Sequence, residues 1–203
     1  MIIASIYDFD FAVNDWIASH VTADWLDPVM RVITSLGDGG IFWILLALVF
    51  LCFKKTRRFG AAMAISLIIS TVITNLTLKP LINRPRPYEL RSIEGLDTSL
   101  LPGDASFPSG HTTVSFSGAF ALFWQNKKLG APALALATLI AFSRLYFYLH
   151  HPTDILGGIL VALAASLLSR MILPYAEKGA NELITTYRQV RALKKESTDK
   201  KTK

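Results

Sequence analysis

The sequence predicts an all-α fold: a polytopic integral membrane helix bundle of about six transmembrane helices with an N-terminal interfacial helix. Three observations predict it. Hydrophobic residues make up 52% of the chain and mean hydropathy is +0.40, both above what a soluble domain of this length needs. Long apolar runs recur, each closed by a basic or polar break. Ionisable residues avoid those runs and collect in three clusters, at 79–87, 108–111 and 143–154, where charge beside a bilayer is expensive and usually functional. The formal charge of +6 is concentrated after Ala176, which argues against a nucleic-acid-binding face. The single cysteine, Cys52, excludes an intrachain disulfide. The N-terminus reads as lacking a signal peptide, because no basic n-region or small-residue cleavage site is visible.

In chain order, residues 2–20 place Ile6, Phe9, Val13, Trp16 and Ile17 on one helical face, with Asp8, Asp10, Asn14 and Asp15 largely elsewhere. A helix lying in the membrane interface fits, and so does one packed on the protein's own side. Asp27-Pro28 reads as a helix start, and that helix runs to the break Gly37-Asp38-Gly39-Gly40; alone it is too short to span. Ile41 to Phe53 is nearly pure apolar and ends at Lys54-Lys55-Thr56-Arg57-Arg58. Phe59 to Leu78 is long enough to span, and its Ser, Thr and Asn residues suit helix–helix contacts. Residues 80–108 form a long polar connection, a kind of loop that is often functional. Thr112 to Trp124, Leu129 to Tyr148 and Ile155 to Leu173 complete the six segments. Residues 1–175 are expected to form the membrane-embedded domain. Residues 176–203, after Pro174, form a basic cytoplasmic tail, helical at first and then disordered.

Lysine and arginine placement predicts the orientation. Lys54 to Arg58, Lys127-Lys128 and the tail fall on one side, the cytoplasm, if crossings alternate. The three polar clusters then share the extracytoplasmic face of the cell membrane. Arg84, Arg86, Arg91 and Arg144 sit there against the usual charge bias, which points to a job other than topology.

That job is the handling of phosphate. Lys79, Arg86 and Arg144 can surround an anion, arginine with a planar fork and lysine with a point charge. Pro108-Ser109-Gly110-His111 opens a helix with Ser109 as N-cap, so backbone N–H groups near Gly110 face an anion. His150 and Asp154 are spaced to pair at the start of the last apolar helix. The carboxylate would hold a proton on one ring nitrogen and leave the other as a nucleophile, with His111 as general acid. His151 is left outside. A metal site is disfavoured, since HExxH spacing is absent and the cations would repel a metal.

At these residues the chain resembles the type 2 phosphatidic acid phosphatase superfamily. That family's signature is KxxxxxxRP, PSGH and SRxxxxxHxxxD. Here it reads Lys79 to Arg86-Pro87, then Pro108-Ser109-Gly110-His111, then Ser143-Arg144 through His150 to Asp154, with no departure at a defining position. The resemblance implies a six-helix membrane phosphatase that uses no metal and no cofactor. It implies His150 as nucleophile forming a phosphohistidine, Asp154 as its partner and His111 as proton donor. Lys79, Arg86, Ser109, Gly110 and Arg144 would bind the phosphoryl oxygens. The expected substrate is a lipid phosphate in the bilayer, with no nucleic acid and no obligate protein partner. Phosphatidylglycerophosphate is the first expectation. Undecaprenyl pyrophosphate and a broad range of phosphatidic acids are the alternatives. Vanadium haloperoxidases share the motif trio but are soluble, unlike this apolar chain. A transporter of anionic substrates would also place arginines at a membrane site, yet transport needs no nucleophile and acid.

Overall fold

The computed structural model describes residues 2–93 and 96–201, with the side chains of residues 4–93 and 96–191. Nine α-helices carry the described chain, and no strand occurs among the described residues. They are α1 (Ile2–His20), α2 (Asp27–Ser35), α3 (Ile41–Cys52), α4 (Arg57–Thr71), α5 (Lys79–Ile82), α6 (Pro87–Leu90), α7 (Gly110–Gln125), α8 (Lys127–Tyr146) and α9 (Pro152–Lys201).

The core is built around α7, which packs against α4, α8 and α9, while α3 packs on α4. Small buried residues, Ser115, Ser117, Gly118, Ala119 and Ala121, line α7 and let neighbouring backbones come close. A Cβ on Gly118 would meet Trp43 Cε3 at 2.7 Å. Hydroxyls tie the helices together: Trp43 Nε1 donates to Ser115 Oγ at 3.0 Å, Ser66 Oγ to the Ser117 carbonyl at 3.1 Å and Ser169 Oγ to the Ala62 carbonyl at 2.7 Å. The outer faces carry exposed Ile44, Leu45, Leu48, Ile68, Leu160 and Met171, the pattern of helices solvated by lipid.

Three stretches are long and apolar enough to cross a bilayer alone: Arg57–Leu90, Lys127–Tyr146 and Pro152–Arg191. Asp27–Ser35 and Asp38–Cys52, bent by 41°, pass as a fourth when taken together. The short helix before Gly37 and the apolar run after it are thus two arms of one bent element. Gly39 (φ 57°) and Gly40 (φ 68°) make that bend, a left-handed conformation that favours glycine. With its 16 residues, α7 is about 24 Å long, short of a hydrocarbon core of about 30 Å. By length and composition the described helices thus supply three spans, or four with the bent pair.

The structure adds detail at both ends of the chain. The stripe of α1 that turns inward is Tyr7, Asp10, Phe11, Asn14 and Ile17, with Asp10 and Asn14 fully buried, whereas Ile6, Phe9 and Trp16 face outward. Asp10 and Asn14, two of the polar residues read as lying off the apolar stripe, each have a buried partner described below, while Asp8 and Asp15 stay exposed. The last helix does not stop at Pro174. It continues as α9 to Lys201, so the expected disorder at the tail's end is replaced by helix as far as the described residues reach. The Ala, Leu, Glu, Lys and Arg content of 176–201 supplies good helix formers.

Candidate active site

A seven-residue π-helix, Val72–Leu78, follows α4. Such wide turns recur at functional sites, and this one delivers Lys79 to the end of a cavity of about 240 Å³. Lys79, Arg86, Gly110, His111 and His150 line that cavity. Five of the eight residues singled out in the sequence therefore line it together, although they come from three separate clusters of the chain.

His150 is buried in the connection between α8 and α9. Its Nδ1 lies 3.3 Å from Asp154 Oδ2, and its Nε2 lies 3.2 Å from Arg86 Nη1. Burial, with Asp154 opposing and Arg86 adding to it, pushes the imidazole down to about 3, so the ring is neutral at ordinary pH. A neutral ring with its proton on the Asp154 side carries a lone pair on Nε2. Tyr148, two residues earlier, has φ 59°, a costly conformation for a bulky residue. Its hydroxyl donates to Asp15 Oδ1 at 2.5 Å and receives a hydrogen bond from Arg91.

Asp154 lies behind His150, away from the cavity, and is fully buried. Oδ2 accepts from Ser106 Oγ at 2.5 Å and from the His151 amide at 2.9 Å. Oδ1 accepts from Arg84 Nη1 at 2.6 Å. Several donors on one carboxylate keep it ionised and fixed.

Arg86 is held on three sides. Nε donates to the Asp104 carbonyl at 2.8 Å, Nη1 to the Leu149 carbonyl at 2.8 Å and Nη2 to Asp104 Oδ1 at 2.6 Å. The other Asp104 oxygen accepts from Lys79 Nζ. Burial works to raise the Asp104 carboxyl, but the hydrogen bonds and charges of Lys79 and Arg86 outweigh it and hold it below the usual carboxylate range. One carboxylate thus bridges two of the cations that the sequence assigned to phosphate.

His111 Nε2 is 2.8 Å from Asp38 Oδ1, and a Cβ on Gly37 would meet His111 Cδ2 at 2.6 Å. The bend between α2 and α3 therefore seats the ring, and only glycine leaves it room. Ser109 is the N-cap of α7, as the sequence indicated. Its hydroxyl accepts from the Thr112 amide at 3.4 Å and from Thr112 Oγ1 at 3.0 Å, and its own amide donates to the Asp154 carbonyl at 3.1 Å. That hydroxyl is turned into the helix start. Arg144 is buried and donates from Nη1 to Thr34 Oγ1 at 2.7 Å, while its Nε has no hydrogen-bond partner. Neither Ser109 nor Arg144 is on the cavity wall. His151 also lies outside it, packed edge-on against Tyr7 and Phe11 at ring distances of 5.3 and 5.5 Å.

Reasoning from sequence missed Asp104, Arg84, Ser106, Asp38 and Asp10. Arg84 carried a signal, a cation against the charge bias. Asp38 and Asp104 carried none, since isolated aspartates in polar loops read as solvated turns, and Asp10 read as the polar side of a surface helix. Among the described residues no group of three or more histidines, cysteines and acids is placed to hold a metal ion.

A basic cavity with a buried imidazole backed by a carboxylate, set at the end of apolar helices, is the arrangement of a membrane phosphohydrolase. A family model described as the PAP2 superfamily matches residues 55–178, and the chain belongs to that superfamily. It is 32% identical over 145 residues to the undecaprenyl-diphosphatase BcrC of Bacillus subtilis, covering 70% of this chain and 72% of that one. Among solved structures it is similar to LpxE of Aquifex aeolicus, with TM-score 0.70 and 26% identity over 80% of this chain and 95% of that one. It is also similar to a transmembrane PAP2-type phosphatidylglycerolphosphate phosphatase from Bacillus subtilis, with TM-score 0.66 and 25% identity over 86% and 87%.

Asp104 competes with any anion for Lys79 and Arg86. Asp104→Asn should therefore lower the inhibition constant for inorganic phosphate by about tenfold, an amount equal to roughly 1.4 kcal/mol, as read from steady-state inhibition in detergent. An unchanged or raised constant would mean that the carboxylate helps to hold the anion.

Proposed function

We propose that this membrane phosphatase removes a terminal phosphoryl group from a lipid through a phosphohistidine on His150. The observation that carries the reading is His150 Nε2 on the cavity wall 3.2 Å from Arg86 Nη1, with Nδ1 backed by Asp154. Nε2 attacks phosphorus, the bond to the leaving oxygen breaks, and His111 protonates that oxygen. Asp154 stabilises the positive charge on the ring. Water then attacks the phosphohistidine, gives its proton to His111, and phosphate departs with His150 restored. Lys79 and Arg86 meet the phosphoryl oxygens, with Gly110 leaving the approach to the α7 amides open. Arg144 adds positive charge from behind the wall, and Ser109 holds the start of α7. These cations supply the charge stabilisation that a metal would otherwise provide, so turnover is expected to survive EDTA.

Undecaprenyl diphosphate is the favoured substrate, on the strength of the relative named for it. Phosphatidylglycerophosphate, the first expectation from the sequence, is the second reading and is supported by the phosphatidylglycerolphosphate phosphatase structure. The site is proposed to face away from the cytoplasm and the tail from Ala176 to lie in it. The Arg58–Glu177 contact at 3.7 Å supports grouping the basic 54–58 loop with the tail at one end. A crossing by α7 is proposed as well, because it is jacketed by protein and needs less apolar length than a lipid-facing span; with the bent α2–α3 pair, α4, α8 and α9 this makes five crossings and leaves the basic loops and the tail on one side. The exposed Ile6, Phe9 and Trp16 of α1 suit an interface with headgroups.

A substrate panel in detergent micelles tests the choice. The value of kcat/KM should be highest on undecaprenyl diphosphate; a higher value on phosphatidylglycerophosphate would favour the second reading. The leaving group differs between them. A lipid monophosphate departs readily, whereas a glycerol alkoxide needs a proton. His111→Ala should therefore lose far more on phosphatidylglycerophosphate, within the factor of about 100 to 10,000 that a general acid contributes, than on the diphosphate. His150→Ala should abolish both. Equal losses for His111→Ala on the two substrates would count against its role as acid.

Sidedness is tested separately. In a Cys52→Ala background, a cysteine at exposed Ser99 should react with an impermeant thiol reagent added to intact cells, and one at Lys128 should not. The opposite pattern would reverse the orientation.

A further inference from the structure

We propose that Asp10 of α1 is a positioning residue for the reaction at His150, acting through Arg84 on Asp154. The inference rests on the reading of His150 as a nucleophile backed by Asp154, and it brings in an element that lies outside residues 55–178 and outside the three sequence motifs.

The geometry is a chain of buried charges. Asp10 Oδ2 accepts from Arg84 Nη2 at 2.6 Å and from Thr153 Oγ1 at 2.7 Å, and Oδ1 accepts from the Thr153 amide at 3.0 Å. The other arm of the same guanidinium, Nη1, donates to Asp154 Oδ1 at 2.6 Å and to Thr153 Oγ1 at 2.7 Å. Arg84 is thus a planar fork with one carboxylate on each prong, and its guanidinium carbon sits 4.9 Å from the Tyr7 ring centroid. Asn14, one turn after Asp10, donates from Nδ2 to the His150 carbonyl at 3.1 Å. One face of α1 therefore grips the backbone of the nucleophile and the salt bridge behind its partner.

The charges explain why a second carboxylate is there. Asp154 must stay anionic and available to the imidazole, whose ring becomes cationic when Nε2 bonds to phosphorus. An arginine paired with Asp154 alone would neutralise it. With Asp10 on the other prong, the trio keeps one net negative charge, and Asp154 is both fixed by Arg84 and left able to stabilise the imidazolium. The lesser role for these contacts is a clip that only holds α1 on the bundle. The two roles differ in what they do to turnover once the protein is folded.

The test uses the full-length protein in detergent micelles, with undecaprenyl diphosphate as substrate, inorganic phosphate as inhibitor and thermal unfolding as a check on folding. Asp10→Asn should lower kcat by about 10- to 100-fold, by analogy with the loss seen when the outer partner of a metal-binding histidine is removed. KM and the phosphate inhibition constant should not move, because Lys79 and Arg86 are untouched. Asp10→Asn combined with Arg84→Gln should have a higher kcat than Asp10→Asn alone, because removing the unbalanced cation restores the net charge on Asp154. Wild-type kcat in folded Asp10→Asn, a loss that appears in KM, or a double variant no better than Asp10→Asn would overturn the proposal. If Asp10→Asn does not fold, Arg84→Lys replaces it. Lysine keeps the charge but cannot reach both carboxylates, so the same kcat loss is expected, and wild-type kcat would overturn the proposal. Asp154→Asn is run alongside. Full activity there would sink the mechanism itself, whereas a loss there with none in Asp10→Asn would sink this inference alone.

Discussion

A single buried carboxylate, Asp154, sets the constraints for the rest of the site. An ion taken out of water is costly unless donors replace the lost hydration. Those donors reach Asp154 from Arg84, Ser106 and the His150–His151 segment, which belong to separate connections between helices. The backbone of Asp154 also anchors the start of α7 through the Ser109 amide. The same group thus pins the loop after α5, the loop before α7 and the turn into α9. Removing it would release three loops at once.

The apolar bundle and the charged end depend on each other. Small residues along α7 bring α4, α8 and α9 close, and Lys79 and Arg86 line one cavity at the charged end. Lys79 and Arg86 then face each other at short range and need an anion between them. Asp104 fills that need in the structure, and a phosphoryl group has the same charge sign and likewise offers oxygen acceptors. Preorganised cations of this kind stabilise charge on a transferring phosphoryl group without rearranging during the reaction. The low pKa of His150 follows from the same burial and keeps the ring neutral rather than cationic.

Much of this was legible in the sequence, for physical reasons. The three clusters were visible because charge is rare in an apolar chain, so Lys79, Arg86, His111, His150 and Asp154 stood out. The Ser109 cap was legible because helix starts use local rules. Four things were not. Asp10 looked like solvent-facing polarity on an amphipathic helix, since a helical wheel shows spacing and not partners. Asp38 and Asp104 sit in glycine-containing turns, where an acid has an ordinary local explanation. The number of crossings was not legible, because a break at Gly37–Gly40 can separate two helices or bend one, and the two arms there meet at 41°. Helix through Pro174 was missed because a proline interior to a helix carries a cost that neighbouring good helix formers offset.

The central claim is that the phosphoryl group passes through His150 rather than directly to water. The stereochemistry at phosphorus tests it most directly, using a lipid thiophosphate made chiral with oxygen isotopes and hydrolysed in isotopically labelled water. Two in-line displacements, onto Nε2 and then onto water, predict net retention of configuration. Net inversion would show a single direct attack by water and would contradict the account.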